Sequence, residues 1–118
     1  MTMPTVSPAV SGVGHYVPER IVTNDELAPL LGTTADWILH KSGIRERRFA
    51  GPGQTNAHLA LQASRQALAS AGLEPDALDM IVVATLSPDH FFPGVSAALQ
   101  AGLGVTRPIP AFDLHAQC

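Results

Sequence analysis

The clearest periodicity in the chain lies between Thr55 and Gly72, where Ala57, Ala60, Leu61, Ser64, Ala67, Leu68 and Ala71 recur at spacings of three and four. Such spacing gathers the apolar positions on one side of an α-helix, opened at Thr55 and stopped at Gly72. The stripe is mostly alanine, so this helix is expected to lie close against a sheet. Met80 to Leu86 (MIVVATL) is an apolar run with only Thr85 inside it. A run of this length suits a strand buried on both faces, in the middle of a sheet covered by helices. A second alanine-rich helix follows from about Gly94 to Leu103, and Ala111 to Leu114 is a short strand that delivers the chain to Cys118.

Signals in the first half are more local. Ala9 to Val17 is small and β-branched with two glycines, which predicts a first strand running into a turn at Pro18. Asn24 is expected to cap a short helix, with Asp25 and Glu26 at its positive end and Leu27, Leu30 and Leu31 on its apolar face. Pro29 sits deep for a first-turn proline, and Gly32 stops the helix. Thr34 caps another helix through Lys41, with Gly43 as a left-handed C-cap. Ile44 to Ala50 alternates apolar and charged residues, as an exposed strand or extended arm does. Strands alternating with helices argue for α/β layers.

Composition narrows the function classes. The chain has 118 residues, 46% of them apolar and 14% charged, which suits a packed interior rather than a disordered tail. A formal charge of −3 lacks the basic stripe that meets nucleic-acid phosphates. One cysteine forms no internal disulfide. The start, Met1 to Thr5, has no basic segment followed by a long apolar one, and no apolar run is long enough to span a bilayer. The expectation is a soluble cytoplasmic protein with neither nucleic-acid nor membrane partners.

Gly12-Val13-Gly14 has the beginning of a dinucleotide loop but lacks its third glycine, and no acidic residue follows a second strand at the required interval. Close backbone approach is the better account of these glycines. His15, His40, His58, His90 and His115 show no paired spacing, and with a single cysteine no metal site is expected. Cys118 is the one residue with strong nucleophilic chemistry. A lone cysteine is commonly a small buried hydrophobe, yet this one follows a strand, where α/β proteins present catalytic groups. His115 stands three residues before it, so along a strand the two point to opposite faces, which favours a pocket or packing role over that of a base. His90 is an equally weak candidate base. Trp37 is either a core plug or an aromatic free to stack on an adenine ring. Near it, Lys41, Arg45, Arg47 and Arg48 form either a solvated face or a site for phosphates of a nucleotide-like molecule.

Taken together, Gly12–Asn24 (GVGHYVPERIVTN), residues 34–47 (TADWILHKSGIRER), Ile81–Thr85 (IVVAT), Phe92-Pro93 and Ala111–Cys118 (AFDLHAQC) resemble β-ketoacyl-acyl-carrier-protein synthase III, a thiolase-superfamily condensing enzyme. The stretches run in family order across almost the whole chain. The resemblance implies a five-layered αβαβα fold built from two related halves. Residues 1–118 are then most of the first, and the second half is absent from this chain. It implies a homodimer and a two-step reaction. A cysteine thiolate accepts an acyl group from acyl-CoA, and the acyl-enzyme then undergoes decarboxylative Claisen condensation with malonyl-acyl-carrier protein in fatty-acid biosynthesis.

On this resemblance Cys118 is the acylated nucleophile. Trp37 stacks on the coenzyme A adenine, Thr33 and Ser42 line the entrance, and Lys41 replaces an arginine there. Phe92 reaches across the dimer to shape the partner's acyl pocket. No cofactor or metal is implied beyond the coenzyme A carried by the substrate. The family's catalytic histidine and asparagine fall beyond Cys118, so a polypeptide of these residues alone is expected to be inactive and poorly folded. Lys41 keeps the charge but loses the planar fork of arginine, which predicts weaker coenzyme A binding. His115 and Gln117 stand where small residues are usual, which points to altered acyl-chain choice. Two other readings keep part of this picture: condensation without decarboxylation or acyl transfer to a small alcohol or amine, and a non-catalytic partner subunit.

Overall fold

In the computed structural model, which describes residues 7–115, Thr23 and Thr34 each begin a short helix by the same local device. The Thr23 hydroxyl accepts from the Glu26 N–H at 3.3 Å, and the Thr34 hydroxyl accepts from the Trp37 N–H at 3.2 Å. Each satisfies one of the amides left unpaired at a helix start. The helices are α1 (Asn24–Leu31) and α2 (Ala35–Ser42), and both end at a glycine with positive φ, Gly32 at 64° and Gly43 at 70°. Only a residue without Cβ enters that left-handed region at no steric cost.

The expected cap at Asn24 is thus corrected by one residue. Asn24 is buried instead, because its amide ties three segments together. Nδ2 donates to Ile44 O at 2.8 Å, and Oδ1 accepts from Arg47 Nη2 at 2.7 Å. The alternating segment does form a strand, β2 (Glu46–Phe49). It pairs antiparallel with β1 (Arg20–Thr23), a four-residue strand that the sequence pattern did not reveal. These elements make up one compact unit, Val17–Thr55.

The second unit comprises Met1–Tyr16 and Asn56–Cys118. Its long helix, α3 (Asn56–Ala71), matches the periodic stretch closely. A short 3₁₀ turn (Pro75–Ala77) leads to β3 (Ile81–Ala84), α4 (Val95–Leu103) and β4 (Ala111–Leu114). Strands β3 and β4 pair in parallel, Ile81 opposite Ala111 through to Ala84 opposite Leu114, so β3–α4–β4 is a β-α-β unit. Ile81, Val95 and Leu99 form its buried core, with Val83, Ala111, Ala57 and Ala60 packed around them.

Two expectations for this unit change. The predicted strand over Ala9–Val17 is absent from the described ladders; a Cβ on Gly12 would overlap Ala67 O, and one on Gly14 would lie 2.5 Å from Ala67 N, so the segment presses its backbone onto α3 instead. The alanine stripe of α3 meets the sheet as expected, Ala57 and Ala60 packing on the core around Ile81, and it also serves this extended segment and α4, where Leu61 lies 2.9 Å from the Cβ position of Gly102. Strand β3 is also not buried on both faces. Ile81 is covered, but its neighbours on the other face, Val82 and, across the ladder, Phe112 and Leu114, remain 42–48% exposed, because α4 covers only the side occupied by Ile81, Val83 and Ala111.

Candidate active site

Cys118, the expected nucleophile, lies outside the described residues, as does Gln117. What the structure describes is the scaffold that leads to it. Strand β4 alternates, so Phe112 and Leu114 face one way while Ala111 and Asp113 face α4. The Asp113 carboxylate accepts from the Val95 N–H at 2.7 Å and the Ser96 N–H at 2.8 Å. These are the first amides of α4, where a negative charge meets both unpaired donors and the positive end of the helix dipole. Gly94 makes this approach possible, since a Cβ there would lie 2.5 Å from Asp113 Oδ2. Burial disfavours the charged carboxylate, but hydrogen bonds from Ser96 and Val95 and the nearby His115 outweigh it and hold Asp113 below its ordinary value.

Helix α3 is held in the same manner from the loop after β3. Asp89 accepts from the Asn56 N–H and the Ala57 N–H, both at 2.7 Å. Asn56 Nδ2 in turn donates to Thr85 Oγ1 at 2.8 Å and to Ser87 O at 3.0 Å. His115 reaches the same place from β4, with Nδ1 2.9 Å from Thr85 O. Asn56, Thr85, Ser87, Asp89 and His115 therefore form one polar cluster beyond the C-terminal ends of β3 and β4, the position where open parallel sheets carry their sites. The sequence reading missed all of these but His115. The one local signal was Thr85, the single polar residue in an otherwise apolar strand run.

In the other unit, Trp37 and Lys41 stand four apart and so share one face of α2, and Thr33 immediately precedes the Thr34 cap of that helix. Trp37 is 55% exposed, which removes the core-plug alternative. Ser42 is exposed as well, yet its hydroxyl is engaged: it donates to Ile38 O at 2.7 Å and accepts from the Ile44 N–H at 3.1 Å, closing the end of α2. The basic cluster divides. Arg47 donates to Val22 O and Asn24 Oδ1, and Arg48 donates to Pro18 O and Glu19 O, so both hold the unit's backbone together. Lys41 and Arg45 are exposed and carry no side-chain hydrogen bond or ion pair among the described residues.

Phe91 and Phe92 are 94% and 92% exposed in the loop after β3, and the Phe92-Pro93 peptide is cis. An apolar groove of about 290 Å³ lies between Gly12, Ala67, Ala71 and the start of β3. It sits at the other end of the strand from Thr85, and no titratable side chain lines it. Among the described residues no group of three His, Cys, Asp or Glu is arranged to hold a metal, and no helix is long and apolar enough to cross a membrane.

No protein-family profile matches the chain. Its sequence does match individual proteins. A β-ketoacyl-[acyl-carrier-protein] synthase III of Cereibacter sphaeroides (strain ATCC 17025 / ATH 2.4.3) is 50% identical over 114 residues, which are 97% of this chain and 35% of that protein. Over nearly its whole length this chain is similar to synthase III proteins. Solved structures agree. The synthase III of Aquifex aeolicus VF5 superposes with a TM-score of 0.81 at 38% identity, over 87% of this chain and 33% of that one. The priming β-ketosynthase of the R1128 polyketide pathway gives a TM-score of 0.83 at 39% identity, over 89% of this chain and 31% of that one. The chain thus spans about a third of the length of the synthase III relatives it matches. The α/β layering expected from the sequence is borne out, and the solved neighbours are thiolase-fold condensing enzymes.

Proposed function

We propose that this chain is part of a β-ketoacyl-acyl-carrier-protein synthase III-type acyltransferase, contributing most of the first half of a five-layered αβαβα domain. The observation that carries the reading is 50% identity to a synthase III over 97% of the chain. The polar cluster at the ends of β3 and β4 supports it, since it includes His115, three residues before Cys118 in the sequence. In the proposed reaction the Cys118 thiolate attacks the thioester carbonyl of an acyl-CoA. The new carbon–sulfur bond forms as the bond to coenzyme A sulfur breaks, and coenzyme A leaves as its thiol. The acyl-enzyme then condenses with malonyl-carrier protein, releasing carbon dioxide and regenerating the cysteine.

Trp37 would stack on the adenine of the incoming coenzyme A, with Thr33, Lys41 and Ser42 at the entrance. The exposure of Trp37 and the unpaired Lys41 support this role, whereas Ser42 has less freedom to contribute because its hydroxyl already closes α2. Phe92, exposed on its loop, would complete the acyl pocket of a second subunit in a cytoplasmic homodimer. Coenzyme A arrives with the substrate, and the proposed chemistry uses no metal.

The test is intact-protein mass spectrometry of the full-length protein after brief incubation with a panel of acyl-CoAs. The expected result is a single acyl adduct that maps to Cys118, with the donors that label fastest defining chain-length preference. An unmodified thiol with every donor would overturn the reading in favour of a non-catalytic partner subunit.

A further inference from the structure

The loop that joins β3 to α4 is pinned at both ends. At its start the Thr85 N–H donates to Leu114 O at 3.1 Å, and Thr85 O lies 2.9 Å from His115 Nδ1. The Asn56 amide takes hold of the next residues, Nδ2 donating to Thr85 Oγ1 at 2.8 Å and to Ser87 O at 3.0 Å. Asp89 then accepts from the Asn56 and Ala57 N–H groups, both at 2.7 Å. At the far end the Val95 and Ser96 N–H groups sit on the Asp113 carboxylate. Only His90–Gly94 lie between the two sets of anchors, and there Phe91 and Phe92 stand 94% and 92% exposed. Rings so exposed pack on almost nothing in their own chain, so the backbone anchors on either side decide where they stand. Without the side-chain bonds of Asn56 and Asp89, the unheld stretch would grow from His90–Gly94 to Leu86–Gly94, with more conformations open to it.

We propose that Asn56 and Asp89 are positioning residues for Phe92: by fixing the loop to the start of α3 they hold the ring where acyl chains of different length are told apart. The proposal rests on reading Phe92 as part of an acyl pocket. Helix capping alone does not account for the arrangement. A cap needs an acceptor aimed at the first amides of α3, which Asp89 supplies, whereas the Asn56 side chain reaches away from its own helix and donates to the loop. Both side chains act through the loop backbone, three or more residues from Phe92, and neither is assigned a contact with substrate.

The test measures acylation of the full-length protein by acetyl-CoA and by octanoyl-CoA, together with melting temperature, and reads the ratio of the two rates. Phe92→Ala should change that ratio about tenfold, as reshaping an apolar pocket does. Asn56→Ala and Asp89→Asn should each move it in the same direction, roughly three- to tenfold, and should add nothing when combined with Phe92→Ala, because they act through the same ring. Thr34→Ala, which loses a helix cap away from the loop, should melt earlier and leave the ratio unchanged. An unchanged ratio in Asn56→Ala and Asp89→Asn, changes that add to that of Phe92→Ala, or an equal change in Thr34→Ala overturns the positioning role while leaving Phe92 in the pocket. An unchanged ratio in Phe92→Ala overturns the pocket reading itself, and the positioning role with it.

Discussion

The two units begin their helices differently. In Val17–Thr55, α1 and α2 are capped by Thr23 and Thr34, the residues immediately before them. In the other unit, α3 and α4 take their caps from carboxylates far along the chain: Asp89 lies 33 residues beyond Asn56, and Asp113 lies 18 beyond Val95. A local cap stabilises its own helix and little else. A distant cap also fixes a strand or loop to that helix, so the second unit's polar network is tertiary structure as much as helix capping. The site grows where such long-range bonds converge, around Thr85 and His115.

Substitutions in the two regions should therefore differ in size. The largest effect is expected at Gly14→Ala, because the new methyl meets the backbone of α3, which cannot rotate aside as a side chain can. A loss of about 3 kcal/mol is expected from such overpacking, read by urea denaturation of the full-length protein. A loss under about 1 kcal/mol would mean that the 7–16 segment is not held against α3 as described.

Asp113→Ala comes next, at about 2 kcal/mol, since it leaves two helix-start amides and the positive end of the helix dipole without their carboxylate. This contribution carries a pH signature. Asp113 has its folded value depressed below the ordinary 3.8, so its stabilisation is present above that value and fades as pH falls below it. The gap between wild type and Asp113→Ala should accordingly be full at neutral pH and narrow below pH 3.8. A gap that is unchanged in acid would show that the carboxylate charge is not what stabilises α4. The smallest effect is expected from Thr34→Ala, about 1 kcal/mol, with neither pH dependence nor influence on acylation. A Thr34→Ala variant that acylates slowly would break the comparison, since it would make a local cap behave like a distant one.

The same contrast explains how much the sequence disclosed. Helices α2, α3 and α4 and strand β4 follow from periodicity, caps and glycine stops, all local signals. The misread positions depend on partners remote in sequence. Asn24 looks like a cap until Ile44 and Arg47 are seen to claim its amide. Arg47 and Arg48 look like part of a solvated face or a phosphate site until their guanidinium groups are found on backbone carbonyls. Arg20–Thr23 is too short to register as a strand without the partner that pairs with it. For the site, the strand leading to Cys118 was readable, but Asn56, Thr85 and Asp89 gave no motif, because their meeting depends on a loop folding back over the start of α3.

Asp113 has one further consequence, for alignment errors during folding. Strand β4 is only four residues long, and a slip of one position against β3 would cost few hydrogen bonds while turning Phe112 and Leu114 toward α4. The slipped chain would also carry the carboxylate away from the Val95 and Ser96 amides, leaving both donors bare. A single acidic side chain thus penalises the nearest wrong pairing more than it rewards any one contact, and it tells a short, otherwise forgiving strand where to stop.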